Sequence, residues 1–282
     1  MTSEIRVLTQ TEVQRLLDWA ADEGWNPGIG DAEAFHAVDP DGFLGCFVGG
    51  VMAAGIAAVA YDDQFGFIGL YICHPAYRGK GFGRMVWDAG MAHLGTRVIG
   101  LDGVPEQEEN YRRMGFEAAC RTIRYSGPPA RLAESAGKAS NRSVRPYNSS
   151  WHDAVMQIDR ACFPAERTTF MAGWLQPPRH AVVAEREGKF SGFAAARPCQ
   201  VGWKIGPVMA RDHEATAALV RDLARTIDGT LSIDVPENQA SLVSLLLDAG
   251  FVSDFATARM YRGGAPRVSA PHLYATTTLE LG

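Results

Sequence analysis

A glycine-rich segment with three cationic side chains carries the strongest chemical signal in the sequence. It runs from Tyr71 to Arg84 (YICHPAYRGKGFGR) and joins a buried strand to a helix. Glycines let backbone amides converge, and the positive end of the following helix adds its field. Arg78, Lys80 and Arg84 supply point charges. The segment therefore predicts a binding site for a pyrophosphate.

Two nucleotide-binding motifs can be compared with this segment directly. A Walker P-loop needs Ser or Thr after its Gly-Lys pair, whereas Lys80 is followed by Gly81. A dinucleotide fingerprint needs a third glycine where Arg84 stands, although Asp102 follows about twenty residues later as that motif requires. The first motif is excluded and the second is incomplete. A plain glycine-rich turn remains the alternative to an anion site.

A second cluster, Asn110 to Phe116 (NYRRMGF), lies on a later predicted helix that ends in Gly-Phe. With Arg78, Gly81 and Gly83 spaced as Arg-x-x-Gly-x-Gly after a buried strand, the region 6–125 resembles the GCN5-related N-acetyltransferase (GNAT) superfamily. The resemblance implies acetyl-CoA as co-substrate and no metal. It assigns cofactor binding to Tyr71, Ile72, Cys73, Arg78, Gly79, Lys80, Gly81, Phe82, Gly83, Arg84, Asn110 and Arg113.

The resemblance also implies catalytic roles. Tyr111 occupies the family's position for the general acid that protonates the departing thiolate, and a phenol with a pKa of about 10 can do this. The alternative is a tyrosine that only packs. An alkylammonium acceptor must lose a proton before attack, and Asp102, expected beside the splayed strand, is the leading base. His74, Asp62 and Asp63 are further candidates, and each of these groups can equally be structural.

The acceptor is expected at Trp25 and Asn26, which follow the first predicted helix where this superfamily builds its acceptor pocket. Asp62 and His74 can bind a cationic substrate without moving protons. We therefore expect Asp62 and His74 to contact the acceptor together with Trp25 and Asn26. Cys73 has no partner that would make it a nucleophile, and direct transfer in a ternary complex needs none.

Hydrophobic periodicity predicts the elements that position these residues. Apolar spacing near 3.6 residues predicts helices over 11–23, 82–94 and 106–114. The core stripe of the second helix is expected at Phe82, Met85, Val86 and Ala89. Strands are predicted over 6–9, 64–72, 97–101 and 116–125. Phe65, Phe67 and Tyr71 are expected on one face of the second strand.

The uncharged run 43–61 is long enough to span a bilayer, but it is rich in Gly and Ala and flanked by aspartates. Gly49-Gly50 in its middle allows a two-residue turn, so we predict a hairpin of two strands. The N-terminus lacks the pattern of a signal peptide. Five scattered cysteines suggest neither a disulfide framework nor a zinc knuckle, so a cytoplasmic location is expected.

The plan of the first half recurs about 135 residues later. The matching pairs, in order along the chain, are Ile68-Gly69 with Ile205-Gly206, Asp102 with Asp234, Gly115-Phe116 with Gly250-Phe251, and Tyr125 with Tyr261. Residues 127–143 have a linker composition. We therefore predict an α/β chain of two tandem GNAT-like domains, each a mostly antiparallel twisted sheet with flanking helices. The predicted ranges are 1–126, the linker 127–143, and 144–282.

The second copy departs from the pattern at the anion loop, where Val208 to Ala215 offers no glycines and two carboxylates. We expect that it binds no acetyl-CoA productively and instead shapes the acceptor pocket of the first copy. The last residues, 266–282, are expected to add a terminal strand.

Composition places the chain among ordinary soluble globular proteins, with 282 residues and a net charge of −5. This charge argues against nucleic acid and membrane partners. The expected function is acetyl transfer from acetyl-CoA to the primary amine of a small molecule, by a monomer or a homodimer. The alternatives are a non-catalytic acyl-CoA sensor or interaction module, and an enzyme that acetylates protein lysines or N-termini.

Overall fold

Thirteen strands join into one sheet in the computed structural model, which describes residues 3–135 and 142–282. The strands are β1 (Ser3–Val7), β2 (Phe43–Val48), β3 (Val51–Ala60), β4 (Phe65–Cys73), β5 (Val98–Gly103), β6 (Glu117–Gly127), β7 (Ser143–Pro146), β8 (His180–Arg186), β9 (Lys189–Pro198), β10 (Trp203–Ala210), β11 (Leu231–Pro236), β12 (Val252–Arg262) and β13 (Leu273–Ala275). The helices of the described residues are α1 (Gln10–Asp22), α2 (Asp31–His36), α3 (Phe82–Leu94), α4 (Glu108–Arg113), α5 (Pro129–Glu134), α6 (His152–Cys162), α7 (Thr168–Trp174), α8 (His213–Ala224) and α9 (Ala240–Asp248).

The local signals in the sequence are confirmed for most elements. Helix α3 has the predicted bounds, and the turn between β2 and β3 places Gly49 and Gly50 at φ of 58° and 81°. Within the described residues, no helix is long and apolar enough to cross a membrane. Part of the predicted linker is helical, because α5 buries Leu132 against α8. Linker residues 136–141 lie outside the described residues.

The buried stripe of α3 differs from the predicted one. Its buried residues are Val86, Trp87, Gly90 and Leu94, whereas Met85 is exposed. Gly90 lets the helix approach β3 closely, since a Cβ atom there would lie 3.0 Å from the Cβ atom of Ala58. The helix is therefore rotated so that its glycine faces the sheet.

A bulge in β4 changes which side chains share a face. Leu70 has φ of +48°, and two residues of β4, Leu70 and Tyr71, stand opposite the single residue Ile56 of β3. Phe65 consequently packs against Phe163 on one side of the sheet, whereas Tyr71 packs against Trp87 on the other. The prediction that Phe65, Phe67 and Tyr71 share one face was wrong, because the extra residue reverses the alternation.

Strands β4 and β5 run in parallel and then diverge. They pair from Phe65 with Val98 up to Ile68 with Leu101, and no pairing continues beyond that point in the described chain. The edge of β4 from Gly69 to Cys73 that faces β5 is left without a strand partner. A cleft opens between the two strands at this point.

The last strands of the two halves are exchanged in the sheet. The strand order is β1-β2-β3-β4-β5-β12-β6-β11-β10-β9-β8-β7. Strand β12 therefore completes the first half beside β5, and β6 completes the second half beside β11. The domain ranges predicted along the sequence remain a prediction, and strand pairing crosses them.

The second half closes its own cleft. Strands β10 and β11 also pair in parallel and diverge after Ile205 and Ile233, but β13 pairs with β10 beyond that point, with Ala275 beside Val208. The predicted terminal strand over 266–282 is thus limited to Leu273–Ala275. The chain then passes Gly206, where a Cβ atom would lie 2.7 Å from the carbonyl oxygen of Thr277, and continues toward β4.

Candidate functional site

A cavity of about 550 Å³ lies in the cleft between β4 and β5. Two of its walls come from the first half, namely the free edge of β4 and the turn that follows β5. A third wall comes from β12 and the last residues of the chain. The cavity as a whole brings together seven of the candidate site residues from the sequence: Trp25, Tyr71, Ile72, Cys73, Arg78, Asp102 and Tyr111.

The glycine-rich turn lies beside this cavity, at the start of α3. Gly79 and Gly81 have φ of +75° and +88°, a backbone conformation that glycine adopts without strain. In the described ranges, no amide from Gly79 to Arg84 donates to a backbone carbonyl. The amide of Gly83 faces the Cys73 sulfur, and the other amides of this range are available to an anion, together with the helix dipole. Phe82 packs against Tyr77 and thereby supports the turn.

The charged side chains of the turn are partly engaged. Lys80 Nζ donates to the carbonyl oxygen of Ala76 at 2.9 Å, and Arg84 Nε donates to Asp88 at 2.7 Å. Both side chains are solvent-exposed and lie outside the cavity lining. They therefore lie around the turn and outside the cavity.

Arg78 connects the turn to the cavity. Its Nε donates to the carbonyl oxygen of Cys73 at 3.0 Å, and its Nη2 forms an ion pair with Glu23. Both Arg78 and Glu23 line the cavity. Burial raises the pKa of the nearby Cys73 thiol, so this cysteine is largely protonated at neutral pH and is not an activated nucleophile.

Tyr111 projects from α4 onto the cavity. Its ring lies 5.7 Å from that of Trp87 and 6.2 Å from that of Phe116, and Gly103 leaves room for it. Burial raises the pKa of Tyr111, so the phenol keeps its proton throughout the neutral range. Among the described residues its hydroxyl has no hydrogen-bond partner. The proton is therefore available to a group inside the cavity.

Asp102 forms a bidentate ion pair with Arg259 of β12. Nε and Nη2 of Arg259 donate to the two carboxylate oxygens at 2.9 and 2.6 Å. Burial raises the pKa of Asp102, and the Arg259 guanidinium opposes this effect. A carboxylate whose two oxygens are both engaged has little freedom to accept a substrate proton. Asp102 as base stays a prediction, and its geometry points to a structural role.

Trp25 lines the cavity and is held by the second half. Its carbonyl oxygen accepts from Lys204 Nζ at 2.9 Å and from Arg124 Nη1 at 3.1 Å. Asn26, with φ of +53°, exchanges two hydrogen bonds of 2.9 Å with the backbone of Val201. Asn26 therefore fixes the loop rather than lining the cavity.

Asp62 and His74 are not brought into the cavity. Asp62 Oδ1 accepts from the amides of Gln64 and Phe65 at 2.8 Å, which fixes the turn between β3 and β4. His74 caps the short helical turn after β4, and its ring packs against Trp19 at 5.3 Å. Both side chains serve local turns, so their predicted contact with the acceptor lacks support in this geometry.

Asn110 and Arg113 lie on the outer face of α4 and do not line the cavity. Arg113 donates to the side-chain oxygen of Asn110, and Asn110 Nδ2 donates to Gln107 at 2.6 Å. From the same segment, Gln107 and Glu106 reach the cavity instead. Contact of Asn110 or Arg113 with a cofactor stays a prediction.

The lining residues of the third wall were all missed in the sequence: Phe255, Thr257, Leu279 and Glu280. They belong to β12 and to the last residues of the chain. The internal repeat signals that β6 and β12 are equivalent, but nothing in its spacing reveals that they are exchanged. No local pattern predicts that residues beyond 275 return to the first half.

Comparisons with known proteins agree with this geometry. Residues 11–116 match the model of the acetyltransferase (GNAT) family, and residues 155–275 match that of an acetyltransferase (GNAT) domain. The Holothin acyltransferase of Pseudoalteromonas sp. (strain SANK 73390) is 31% identical over 275 residues, which are 96% of this chain and 92% of that protein.

Solved structures share the fold over nearly the whole chain. The crystal structure of an acetyltransferase candidate from Pyrococcus horikoshii has a TM-score of 0.82 at 20% identity and covers 99% of this chain and 96% of its own. A tandem GNAT protein from the clavulanic acid biosynthesis pathway has a TM-score of 0.64 at 12% identity, over 94% of this chain and all of its own. The chain therefore belongs to the GNAT family, as an acyltransferase built from two GNAT-like domains.

Proposed function

We propose that this acyltransferase uses acetyl-CoA to acetylate the primary amine of a small molecule, by direct transfer in a ternary complex. The observation that carries the proposal is the cleft between β4 and β5, which opens beside a turn whose amides are free. The first copy, predicted over 1–126, is the proposed catalytic domain. The second, predicted over 144–282, is proposed to shape the acceptor side.

The fit to acetyl-CoA rests on two features of the chain. The edge of β4 from Gly69 to Cys73 has backbone groups without a strand partner, which suits the amides of a pantetheine arm. The turn from Arg78 to Arg84 offers amides and cationic side chains, which suit a pyrophosphate. When bound, acetyl-CoA supplies an activated acyl group at a thioester.

The residues around the cleft then have separate tasks. Free amides on the edge of β4 can stabilise negative charge that develops on the acyl oxygen. Tyr111, whose hydroxyl is protonated and unengaged within the described chain, can donate its proton to the departing sulfur. Arg78 and Glu23 close the cavity beside the turn, because their side chains pair there. Cys73 takes no covalent part.

A small acceptor is supported by how the loop after α1 is fixed. Its backbone is held by Arg124, Lys204 and Val201, and Ile29 donates to the carbonyl oxygen of Pro198. This leaves a cavity of about 550 Å³, which is the size of a small-molecule site rather than a groove for an extended peptide. The relative named as an acyltransferase of holothin makes holothin a reasonable first acceptor to test.

Calorimetric titration with acetyl-CoA, followed by an assay of CoA release over a panel of amines that includes holothin, tests the proposal. We expect one binding site per chain, because β13 fills the equivalent cleft of the second half. Turnover on a small amine supports the enzyme. Binding without turnover on any amine, peptide or protein favours an acyl-CoA sensor. Turnover on a lysine peptide alone favours a protein acetyltransferase.

A further inference from the structure

Glu280 places a buried carboxylate in the wall of the cavity without a partner. The residue is 4% exposed and lines the cavity. Among the described residues, no group donates to its Oε2 atom. An acceptor atom buried without a donor is costly in free energy, so a carboxylate in this position needs a ligand to supply one.

The backbone of Glu280 lies at the closed end of the cleft. A Cβ atom on Gly69 would lie 3.0 Å from the Cα atom of Glu280, so the two segments are in close contact. Gly69 directly follows Ile68, which forms the last β4–β5 pair with Leu101. The acyl end of a pantetheine arm laid along β4 from the turn at Arg78 would lie toward this closed end. With the arm in this position, Glu280 would lie near the reacting carbonyl and away from the turn at Arg78.

The other carboxylates of the lining are engaged or exposed. Glu23 is paired with Arg78, Asp102 is paired with Arg259, and Glu106 is exposed to solvent. Glu280 is thus the buried carboxylate of the described lining that is left for a substrate.

The charged groups facing Glu280 come from the second half of the sheet. Arg124 is bound to Asp234 at 2.7 and 3.1 Å, and Lys204 donates to the carbonyl oxygen of Trp25. Arg197 is paired with Asp31 at 3.2 Å. Burial acts to lower the pKa of all three cations. Burial prevails for Lys204, whose pKa is lowered, whereas the nearby carboxylates, Glu280 among them, prevail for Arg124 and Arg197, whose pKa values are raised. No ion pair within 4.0 Å joins Glu280 to these cations in the described chain. The cations near Glu280 are therefore engaged with other groups and leave its carboxylate oxygens free.

We propose that the carboxylate of Glu280 binds the ammonium group of the acceptor and takes its proton before attack. This rests on the function proposed above. The neighbouring side chains of Trp25, Phe255 and Leu279 are aromatic or apolar. The acceptor class is therefore a primary amine, cationic in solution, on a small aromatic or apolar body.

Glu280 and Tyr111 exchange protons with the reactants during the transfer. The acceptor nitrogen gives one proton to Glu280, and its freed electron pair forms the new C–N bond as the C–S bond breaks. The sulfur takes a proton from Tyr111, and the nitrogen loses its second proton to water. Tyr111 regains a proton from water and Glu280 releases its own, so one proton appears in solution for each amide formed.

The decisive experiment compares Glu280→Gln, Glu280→Asp and wild type on an amine that the wild type acetylates. We expect Glu280→Gln to lower kcat/KM for the amine about 100-fold or more at pH 7, with an unchanged Kd for acetyl-CoA. The deficit should shrink as the pH approaches about 10, because the amine is then neutral without help. Glu280→Asp should recover part of the activity.

The control is Glu117→Gln, which removes an exposed carboxylate of β6 and should behave as wild type. The role of Glu280 is overturned if the kcat/KM of Glu280→Gln for the amine is within threefold of wild type at pH 7. It is also overturned if the deficit in kcat/KM is the same at all pH values. Either result leaves the proposed function intact. If the wild type binds acetyl-CoA but acetylates no amine in the panel, the proposed function fails and this inference fails with it. Thermal unfolding of each variant separates both results from misfolding.

Discussion

Gly69 on β4 and Glu280 near the end of the chain are packed so closely that no side chain fits between them. A Cβ atom at Gly69 would lie 2.7 Å from the carbonyl carbon of Glu280 and would overlap its carbonyl oxygen. The contact lies where β4 and β5 diverge, so the second half contributes to the cleft of the first. Glycine is needed at this point for space rather than for an unusual φ.

Replacing Gly69 by alanine should push residues 279–281 away from the cleft. We expect a loss of about 1–3 kcal/mol in the free energy of unfolding, together with a lower kcat. Gly173→Ala is the matched control, because a Cβ atom there meets its nearest neighbour at an ordinary 4.0 Å inside α7. That control should be neutral or slightly stabilising. Equal unfolding midpoints for Gly69→Ala and wild type would contradict the close contact.

Gly81→Ala tests the anion-binding turn. Gly81 has φ of +88° and open space around it, so the added Cβ atom strains the backbone that presents the amides. We expect acetyl-CoA to bind at least about tenfold more weakly, a change of ~1.4 kcal/mol by calorimetry.

Gly188→Ala provides the matched control for this prediction. Gly188 has φ of +73° and open space in the turn between β8 and β9, remote from the cavity. Gly188→Ala should lower stability about as much as Gly81→Ala does, with no change in acetyl-CoA affinity. Equal weakening of binding by both substitutions would show that the effect is global.

Tyr111→Phe should lower kcat about 100-fold while leaving the Kd for acetyl-CoA unchanged. The phenol has no hydrogen-bond partner in the described part of the chain, and its ring packing is retained by phenylalanine. The melting temperature should therefore stay close to that of wild type. An unchanged kcat would remove Tyr111 from the proposed mechanism.

The ion pair of Asp102 and Arg259 joins β5 to the exchanged strand β12. Arg259→Met leaves the Asp102 carboxylate buried without its partner, so the free energy of unfolding should fall by about 3–5 kcal/mol. The double variant Asp102→Asn with Arg259→Met should recover a large part of this loss. Additive losses in a double-mutant cycle of urea denaturation would show that the two groups are not coupled.

Glu12 should make the stability of the chain depend on acid pH. Its bonds to Arg6 and to the amide of Thr9 lower its pKa from 4.5 to about 2. Because the folded-state pKa is lowered, the stabilisation is complete above pH 4.5 and is lost as the pH falls toward 2. Glu12→Gln should therefore cost about 1–2 kcal/mol at pH 7, a discounted value for a partly exposed pair. A cost that stays constant down to pH 2 would contradict this account.

Local patterns predicted the elements that carry the glycine-rich turn. Helix α3 and the Gly49-Gly50 turn follow from periodicity and from glycine's φ, both of which are properties of neighbouring residues. The bulge at Leu70 was missed. The positive φ of this non-glycine residue goes with the packing of Tyr71 and Gly69 on opposite sides of the sheet, which no local pattern shows. The predicted acceptor contacts of Asp62 and His74 did not consider that local turns use these side chains as caps.

The residues that the third wall contributes to the cavity could not be predicted from the sequence. Glu280 reaches the cleft only because β12 and the last residues cross from one half to the other. Asp102 was the leading candidate base, and no local pattern indicated its partner Arg259, which lies 157 positions away along the chain. Such contacts are set by the pairing of whole strands, and the amphipathic pattern of a strand does not say which neighbour it will have.

The exchange of β6 and β12 has a consequence for biosynthesis. β5 ends at Gly103 and the strand that covers its edge begins at Val252, so about 150 residues must be translated before that neighbour exists. At roughly 5–20 residues per second, the nascent sheet waits on the order of ten seconds or more with a bare hydrogen-bonding edge. The sheet of the first half therefore stays incomplete until most of the second half has been translated.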